Sequence, residues 1–164
     1  MKRVITIIIC ILLLIIDNTV APFLAIRGAF PSLLFTFAIA YSLINNEREA
    51  VFIGIVSGLL QDIFFGGVFG VNALTNMLIC LICAYIGRSV FKRSKLVPIV
   101  TIFAMTILKH LAVYAIFHVM HYEVSLSGII YNAIYNSIIM LIGYRLVFKF
   151  SKQKDNLKNK WRLR

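Results

Sequence analysis

The sequence predicts an all-α integral membrane protein with six transmembrane helices and both termini in the cytoplasm. Of its 164 residues, 61% are hydrophobic and only 14% are charged, whereas an ordinary soluble domain is about 45–50% apolar. Long apolar runs recur along the chain, and short charged segments separate them. The 17 Lys and Arg residues outnumber six Asp and Glu. Most of these basic residues flank the apolar runs, which is typical of a polytopic membrane protein and argues against nucleic-acid binding.

Six apolar segments are predicted to form the spans, because a helix needs about 20 apolar residues to cross a bilayer. They cover residues 4–26, 30–44, 50–65, 71–91, 96–120 and 128–148. Together they form one transmembrane domain over residues 1–149. The second and third segments are near the lower limit of length, so they either lie in a thinned or sheltered region or form a partly re-entrant pair.

The first segment resembles a signal peptide, with Lys2 and Arg3 ahead of a continuous apolar run. Small residues at 19–21 offer a cleavage site, but Pro22 follows them directly and usually blocks cleavage. Five further spans also need a correctly oriented first one. We therefore expect a retained span.

The basic clusters predict the orientation, since Lys and Arg concentrate on the cytoplasmic side of membrane proteins. They lie at the N-terminus, at residues 88–95, and in the tail over residues 150–164. A six-span chain with a cytoplasmic N-terminus puts all three on the same side. The acidic turn Glu47-Arg48-Glu49 is the exception. Leu157 and Trp161 lie four residues apart, so the tail is either a short helix on anionic lipid or a disordered cytoplasmic segment.

Glycine and aspartate recur every fourth residue in the third segment and the turn after it. The positions are Gly54, Gly58, Asp62, Gly66 and Gly70. On a helix, this spacing forms a narrow stripe of small residues that allows another backbone to approach closely. It also puts an ionisable side chain inside the contact, where a charge is costly and usually has a role.

The same stretch resembles the core motif of the rod shape-determining MreD family. The residues that carry the resemblance are Gly58-Leu-Leu-Gln-Asp62-Ile-Phe, then Gly66, Gly70 and Asn72-Ala73-Leu74. The length, the six-span layout and the basic C-terminal tail fit that family as well. The resemblance implies a multi-pass protein of the bacterial inner membrane that helps to assemble or regulate lateral peptidoglycan synthesis. The implied partners are membrane lipid and an MreC-like protein, and through it MreB, a RodA-type glycosyltransferase and a penicillin-binding transpeptidase.

Three ionisable residues are predicted at similar depth inside the spans: Asp17, Asp62 and Lys109. A charge near the bilayer centre costs at least about 2.5–3.5 kcal/mol unless it is paired. The favoured interpretation is an intramembrane ion pair of Lys109 with Asp62, and Asp17 is the alternative partner. A conducted proton or a bound anionic substrate is the functional alternative.

Amide side chains also lie inside the predicted spans. Asn72 and Asn76 are four residues apart in the fourth span, and Asn132 and Asn136 are four apart in the sixth, beside Tyr135. They either hydrogen-bond between helices or line a polar cavity. A cavity lined by Asn72, Asn132 and Tyr135 would favour a second function, the substrate-binding S component of an energy-coupling-factor transporter, whose size and topology the chain also fits.

No enzymatic motif is present, and we expect no catalytic residue, cofactor or metal site. Directly after Lys109, the residues His110, Tyr114 and His118 lie four apart from one another. A proton relay along them is possible. The enrichment of aromatic and His residues near membrane interfaces explains them more simply. Cys10, Cys80 and Cys83 fall inside predicted spans and are expected to pack as small apolar residues.

Overall fold

The computed structural model describes residues 2–25, 30–65, 68–90, 96–122 and 128–162, and within these ranges it is all-helical. Six α-helices follow one another: α1 (Lys2–Thr19), α2 (Leu33–Ile44), α3 (Glu47–Phe65), α4 (Val71–Val90), α5 (Val97–Val119) and α6 (Ile129–Arg162). A short 3₁₀ turn, Ala21–Leu24, follows α1. Each predicted span thus corresponds to one helix.

The helix boundaries differ from the predicted spans by three residues or more at four places. The helix α2 begins at Leu33, not at residue 30. The helix α1 ends at Thr19, not at residue 26, because Pro22 lacks a backbone N–H and disfavours helical geometry in the residue before it. The helix α3 begins at Glu47 and so includes the acidic turn. The helix α6 continues to Arg162, so the backbone of the basic tail extends the sixth helix.

Among the described helices, three are long and apolar enough to cross a membrane. They contain the apolar stretches Val71–Arg88, Val97–Val119 and Ile129–Lys149. The helix α2 is apolar but has only 12 residues, or about 18 Å at 1.5 Å per residue. This is shorter than the hydrocarbon core of a bilayer, which is about 30 Å thick.

The short helix α2 is the centre of the bundle and contacts each of the other five helices. Every residue from Leu34 to Leu43 is buried. Such a helix has no lipid-facing or polar side, so its sequence lacks the periodicity of an amphipathic helix. Of the possibilities for the short second span, this burial fits the sheltered one.

Polar contacts mark the two ends of the bundle. At one end, Arg3 pairs with Glu49 at 3.5 Å and Arg88 pairs with Glu47 at 2.7 Å. These pairs join the start of α1 and the end of α4 to the start of α3. The acidic turn thus lies beside basic residues. These ion pairs explain why two negative charges occur at an end of the bundle that is otherwise basic.

Candidate functional site

Asp17, near the end of α1, holds the first turn of α2. Its Oδ1 accepts a hydrogen bond from the backbone N–H of Leu33 at 2.7 Å, and its Oδ2 accepts from the N–H of Leu34 at 3.0 Å and from the Ser32 hydroxyl at 3.3 Å. Backbone N–H groups at a helix start have no partner within the helix, and the helix dipole favours a negative charge there. Asp17 thus caps a neighbouring helix.

Asp62 makes the same kind of contact between α3 and α4. Its Oδ1 accepts from the N–H of Asn72 at 3.0 Å, and its Oδ2 accepts from the N–H groups of Gly70 and Ala73, each at 3.0 Å. Gly70 has a φ of 98°, a conformation that glycine adopts without strain. The carboxylate therefore fixes both the turn into α4 and its first helical turn.

Lys109 does not contact either carboxylate. Its Nζ donates to Gln61 Oε1 at 2.7 Å and lies 4.5 Å from the centre of the Phe35 ring. Within the described ranges, no ion pair joins Lys109 to Asp62 or Asp17. Both carboxylates already accept three hydrogen bonds, which explains why the expected direct pairing is replaced by an amide and an aromatic face.

Gln61 connects this lysine to the neighbouring helices. Its Oε1 also accepts from Asn76 Nδ2 at 2.9 Å, and its Nε2 donates to Ser32 Oγ at 3.4 Å. Asn76 Nδ2 further reaches Ser57 Oγ at 3.4 Å. A single buried glutamine therefore links α2, α3, α4 and α5. The sequence offered no periodic pattern that singled it out, although it directly precedes Asp62.

The two asparagines of α6 bind α2 and α5. Asn136 Oδ1 accepts from the N–H of Ser32 at 3.0 Å, and Asn136 Nδ2 donates to Thr106 Oγ1 at 3.2 Å. Asn132 Nδ2 lies 3.1 Å from His110 Nε2, and His110 Nδ1 lies 2.8 Å from the Thr106 carbonyl oxygen. These contacts fit an imidazole protonated on Nδ1. The Nδ2 atoms of Asn76, Asn132 and Asn136 thus bond between helices, whereas the Oδ1 atoms of Asn76 and Asn132 are buried without a partner among the described residues.

These residues surround a cavity of about 360 Å³ at the bundle end opposite the two ion pairs. Polar lining residues come from all six helices or from the segments that precede them: Asp17, Ser32, Gln61, Asn72, Thr106, Lys109, His110, Asn132 and Asn136. Phe30, Pro31, Phe35 and Val113 complete the wall. Tyr135 is half-buried on α6 and is not part of this lining. The expected cavity therefore contains Asn72 and Asn132 without Tyr135.

The glycine stripe brings α3 and α4 together over part of its predicted length. A Cβ on Gly58 would collide with the Cα of Ala73 and the carbonyl oxygen of Asn72, and one on Gly54 would lie 2.6 Å from the Cα of Met77. Gly70 lies in the turn and not on the helical stripe, with no atom near its Cβ position. Gly66 lies outside the described residues. A further close approach, at Gly87 against the carbonyl group of Leu43, was not anticipated.

The remaining candidates take ordinary structural positions. Tyr114 and His118 stack at 5.8 Å between ring centres, and His110 faces Asn132, so the aligned residues do not form one continuous contact line. Cys10, Cys80 and Cys83 are buried in the apolar core as free thiols.

The fold and its interior define a helical membrane protein in which buried polar groups join helix ends to one another. The chain belongs to the MreD family: residues 1–154 match the family described as rod shape-determining protein MreD. The protein therefore has a role in rod-shape determination. A search of curated proteins and of solved structures finds no significant match. The transporter alternative is not supported by these comparisons.

Proposed function

We propose that the protein is a non-enzymatic scaffold of the bacterial cell-elongation complex, which inserts peptidoglycan along the side wall. The match to the MreD family over residues 1–154 carries this proposal. The described interior agrees with it, since the two buried carboxylates hold backbone amides at helix starts. Carboxylates that are bound to backbone N–H groups fix the positions of the helices, which suits a rigid binding surface better than it suits proton transfer.

The proposed location is the cytoplasmic membrane, with six spans and both termini on the cytoplasmic side. The basic residues at the start of α1 and at the end of α4 lie at one end of the bundle, beside Glu49 and Glu47. This is the arrangement that the positive-inside rule favours for the cytoplasmic face. The cavity would then lie on the opposite, outward-facing half.

The proposed direct partner is an MreC-like protein. Through it, the chain would act with MreB, a RodA-type glycosyltransferase and a penicillin-binding transpeptidase. Membrane lipid surrounds the bundle, consistent with the many apolar side chains that α1, α5 and α6 expose, such as Ile8, Leu111 and Leu141.

Co-purification tests this proposal. The tagged chain is expressed with the MreC-like protein of the same organism, extracted in mild detergent and captured. We expect the partner to elute in a fixed ratio with the chain and to remain bound through size-exclusion chromatography. An unrelated six-span protein with the same tag controls for nonspecific adhesion of the partner. The Gly58→Leu variant, in which α3 and α4 should pack poorly, controls for binding to exposed apolar surface. Recovery of the partner at the level of the unrelated protein would contradict the proposal.

A further inference from the structure

The cavity contains hydrogen-bonding groups that the described parts of the chain leave unused. We propose that it binds an uncharged molecule or lipid headgroup rich in hydroxyl or amide groups. This inference does not rest on the proposed scaffold function, because it derives from the cavity lining alone. Both the charge balance and the unused donors and acceptors of that lining point to this chemistry.

Lys109 supplies unused donors. An ammonium group has three N–H bonds, and the one hydrogen bond that Lys109 makes within the described residues goes to Gln61 Oε1. The Phe35 ring covers part of the charge at 4.5 Å, but a ring face accepts no full hydrogen bond. Two N–H groups of Lys109 can therefore donate to an oxygen atom of a ligand in the cavity.

Asn72 supplies both a donor and an acceptor. Its backbone N–H binds Asp62 and its carbonyl oxygen lies 3.3 Å from Thr75 Oγ1, but within the described residues its side-chain amide makes no hydrogen bond. That amide lines the cavity. Asn132 also lines the cavity, and among the described residues its Oδ1 is buried without a partner. A buried amide oxygen is normally satisfied, so this atom indicates a missing partner. Asn72 is only half-buried, so a ligand in the cavity can reach its amide.

The charges of the lining favour a neutral ligand. Lys109 and Asp17 are the charged side chains among the described lining residues, and their formal charges cancel. The oxygens of Asp17 are already occupied by the start of α2, so they offer little to a cation. A charged ligand would leave a net charge inside the membrane, which is costly. A hydroxyl or amide group meets the unused donors and acceptors without that cost.

The volume of about 360 Å³ lies within the usual range of small-molecule pockets, about 300–1,000 Å³. Apolar wall residues, including Phe35 and Val113, adjoin the polar ones. This mixture suits a sugar ring or an amide, each of which has apolar and hydrogen-bonding faces.

Thermal unfolding of the full chain in lipid nanodiscs tests the proposal. The neutral probes are D-glucose, N-acetylglycinamide and octyl β-D-glucoside below its micellar concentration. Glucose 6-phosphate and glucosamine are the anionic and cationic counterparts. We expect at least one neutral probe to raise the Tm saturably, and the charged sugars to raise it less. Saturation by octyl glucoside alone assigns the ligand to a lipid headgroup, whereas saturation by glucose or the amide assigns it to a soluble molecule.

The variants Asn72→Ala and Ser137→Ala separate binding in the cavity from a general stabilising effect of the solutes. Asn72→Ala removes the unused amide and keeps the backbone N–H that binds Asp62, so it should fold. Loss of one hydrogen bond should weaken the apparent affinity about fivefold. Ser137 lies on α6 outside the cavity lining, and the hydrogen bond that it makes among the described residues goes to the Ala133 carbonyl oxygen of its own helix. Ser137→Ala should therefore respond like the wild type.

Three results would overturn the proposal. One is the absence of a saturable rise in Tm with any of the neutral probes, which would mean that the cavity holds water only. Another is stronger stabilisation by a charged sugar. The third is an equal response of Asn72→Ala and Ser137→Ala, because binding would then occur elsewhere.

Discussion

Asp17 and Asp62 show how an apolar bundle accommodates buried carboxylates. The side chains of both residues are almost fully buried, with 3% and 7% of their surface exposed, and each accepts three hydrogen bonds at a helix start. Hydrogen bonds to a charged group contribute about 1.5–3 kcal/mol each, and the helix dipole adds to them. The cost of burying these two charges is therefore offset by backbone N–H groups, and not by Lys109 as the sequence suggested.

Replacing Asp62 by Asn should destabilise the protein by about 1–3 kcal/mol. The single amide oxygen cannot serve all three donors, and the amide N–H₂ would face backbone N–H groups. Equilibrium unfolding in detergent–SDS mixtures measures the change, and Asp17→Asn should behave similarly. Glu49→Gln is the control, because its partly exposed ion pair with Arg3 should contribute under about 1 kcal/mol. Equal stability of Asp62→Asn and wild type would contradict the capping role.

Combining Asp62→Asn with Lys109→Met should give nearly additive losses. Since Lys109 binds Gln61 and not a carboxylate, the two residues share no direct hydrogen bond. The same unfolding assay yields the coupling energy, which we expect to be small compared with the loss in either single variant, because the two charges interact without direct contact. Recovery of stability in the double variant would instead demonstrate the ion pair.

At the scale of helices, close packing depends on where backbones meet. The helices α3 and α4 touch at Gly54 and Gly58, and α2 and α4 approach at Gly87. Close approach of this kind lets helices associate in a membrane, where the surrounding lipid is as apolar as the helices themselves. It also explains how the short α2 can be enclosed by its neighbours.

Gly58→Ala should be destabilising by about 1–3 kcal/mol, since the added Cβ meets backbone atoms that cannot move independently. Gly143→Ala is the matched control, because the Cβ position of Gly143 is open. Alanine also favours the helix by up to about 1 kcal/mol, so that variant should be neutral or stabilised. Folded yield and SDS unfolding measure both. Equal effects would exclude backbone contact as the reason for the glycine spacing.

Much of the helical layout was predictable from the sequence, while the contacts of its polar residues were not. Apolar runs predicted a helix for each of the six segments because membrane helices need long uninterrupted apolar stretches. The four-residue spacing predicted the close contact at Gly54 and Gly58, because residues four apart lie on the same face of one helix. By contrast, the partner of Lys109 depends on how α2, α3 and α5 meet. No local pattern identified Gln61 as the link between them.

At the scale of the whole molecule, the two ends of the bundle differ in chemistry. One end has Arg3, Glu47, Glu49 and Arg88 in exposed or half-exposed ion pairs, and the other contains the polar cavity. This asymmetry agrees with the proposed orientation, in which the two ends would face different compartments.

Cysteine-accessibility labelling tests the proposed orientation. In a variant without the three native cysteines, single cysteines beside Lys95 and Lys158 should be protected from a membrane-impermeant reagent added outside. One near Ser125 should be labelled. The basic clusters predict this pattern, and labelling near Lys95 from outside would rule out a six-span topology with a cytoplasmic N-terminus.

The most direct test of the scaffold role is depletion of the protein in its own rod-shaped host, with cell width and side-wall peptidoglycan incorporation followed by fluorescence microscopy. We predict that cells widen and round up, and that side-wall incorporation falls. Re-expression of the wild type or of Glu49→Gln should restore both, and the packing-defective Gly58→Leu should not. If depleted cells keep their rod shape and a normal pattern of side-wall incorporation, the account of this protein as a scaffold of cell elongation is contradicted.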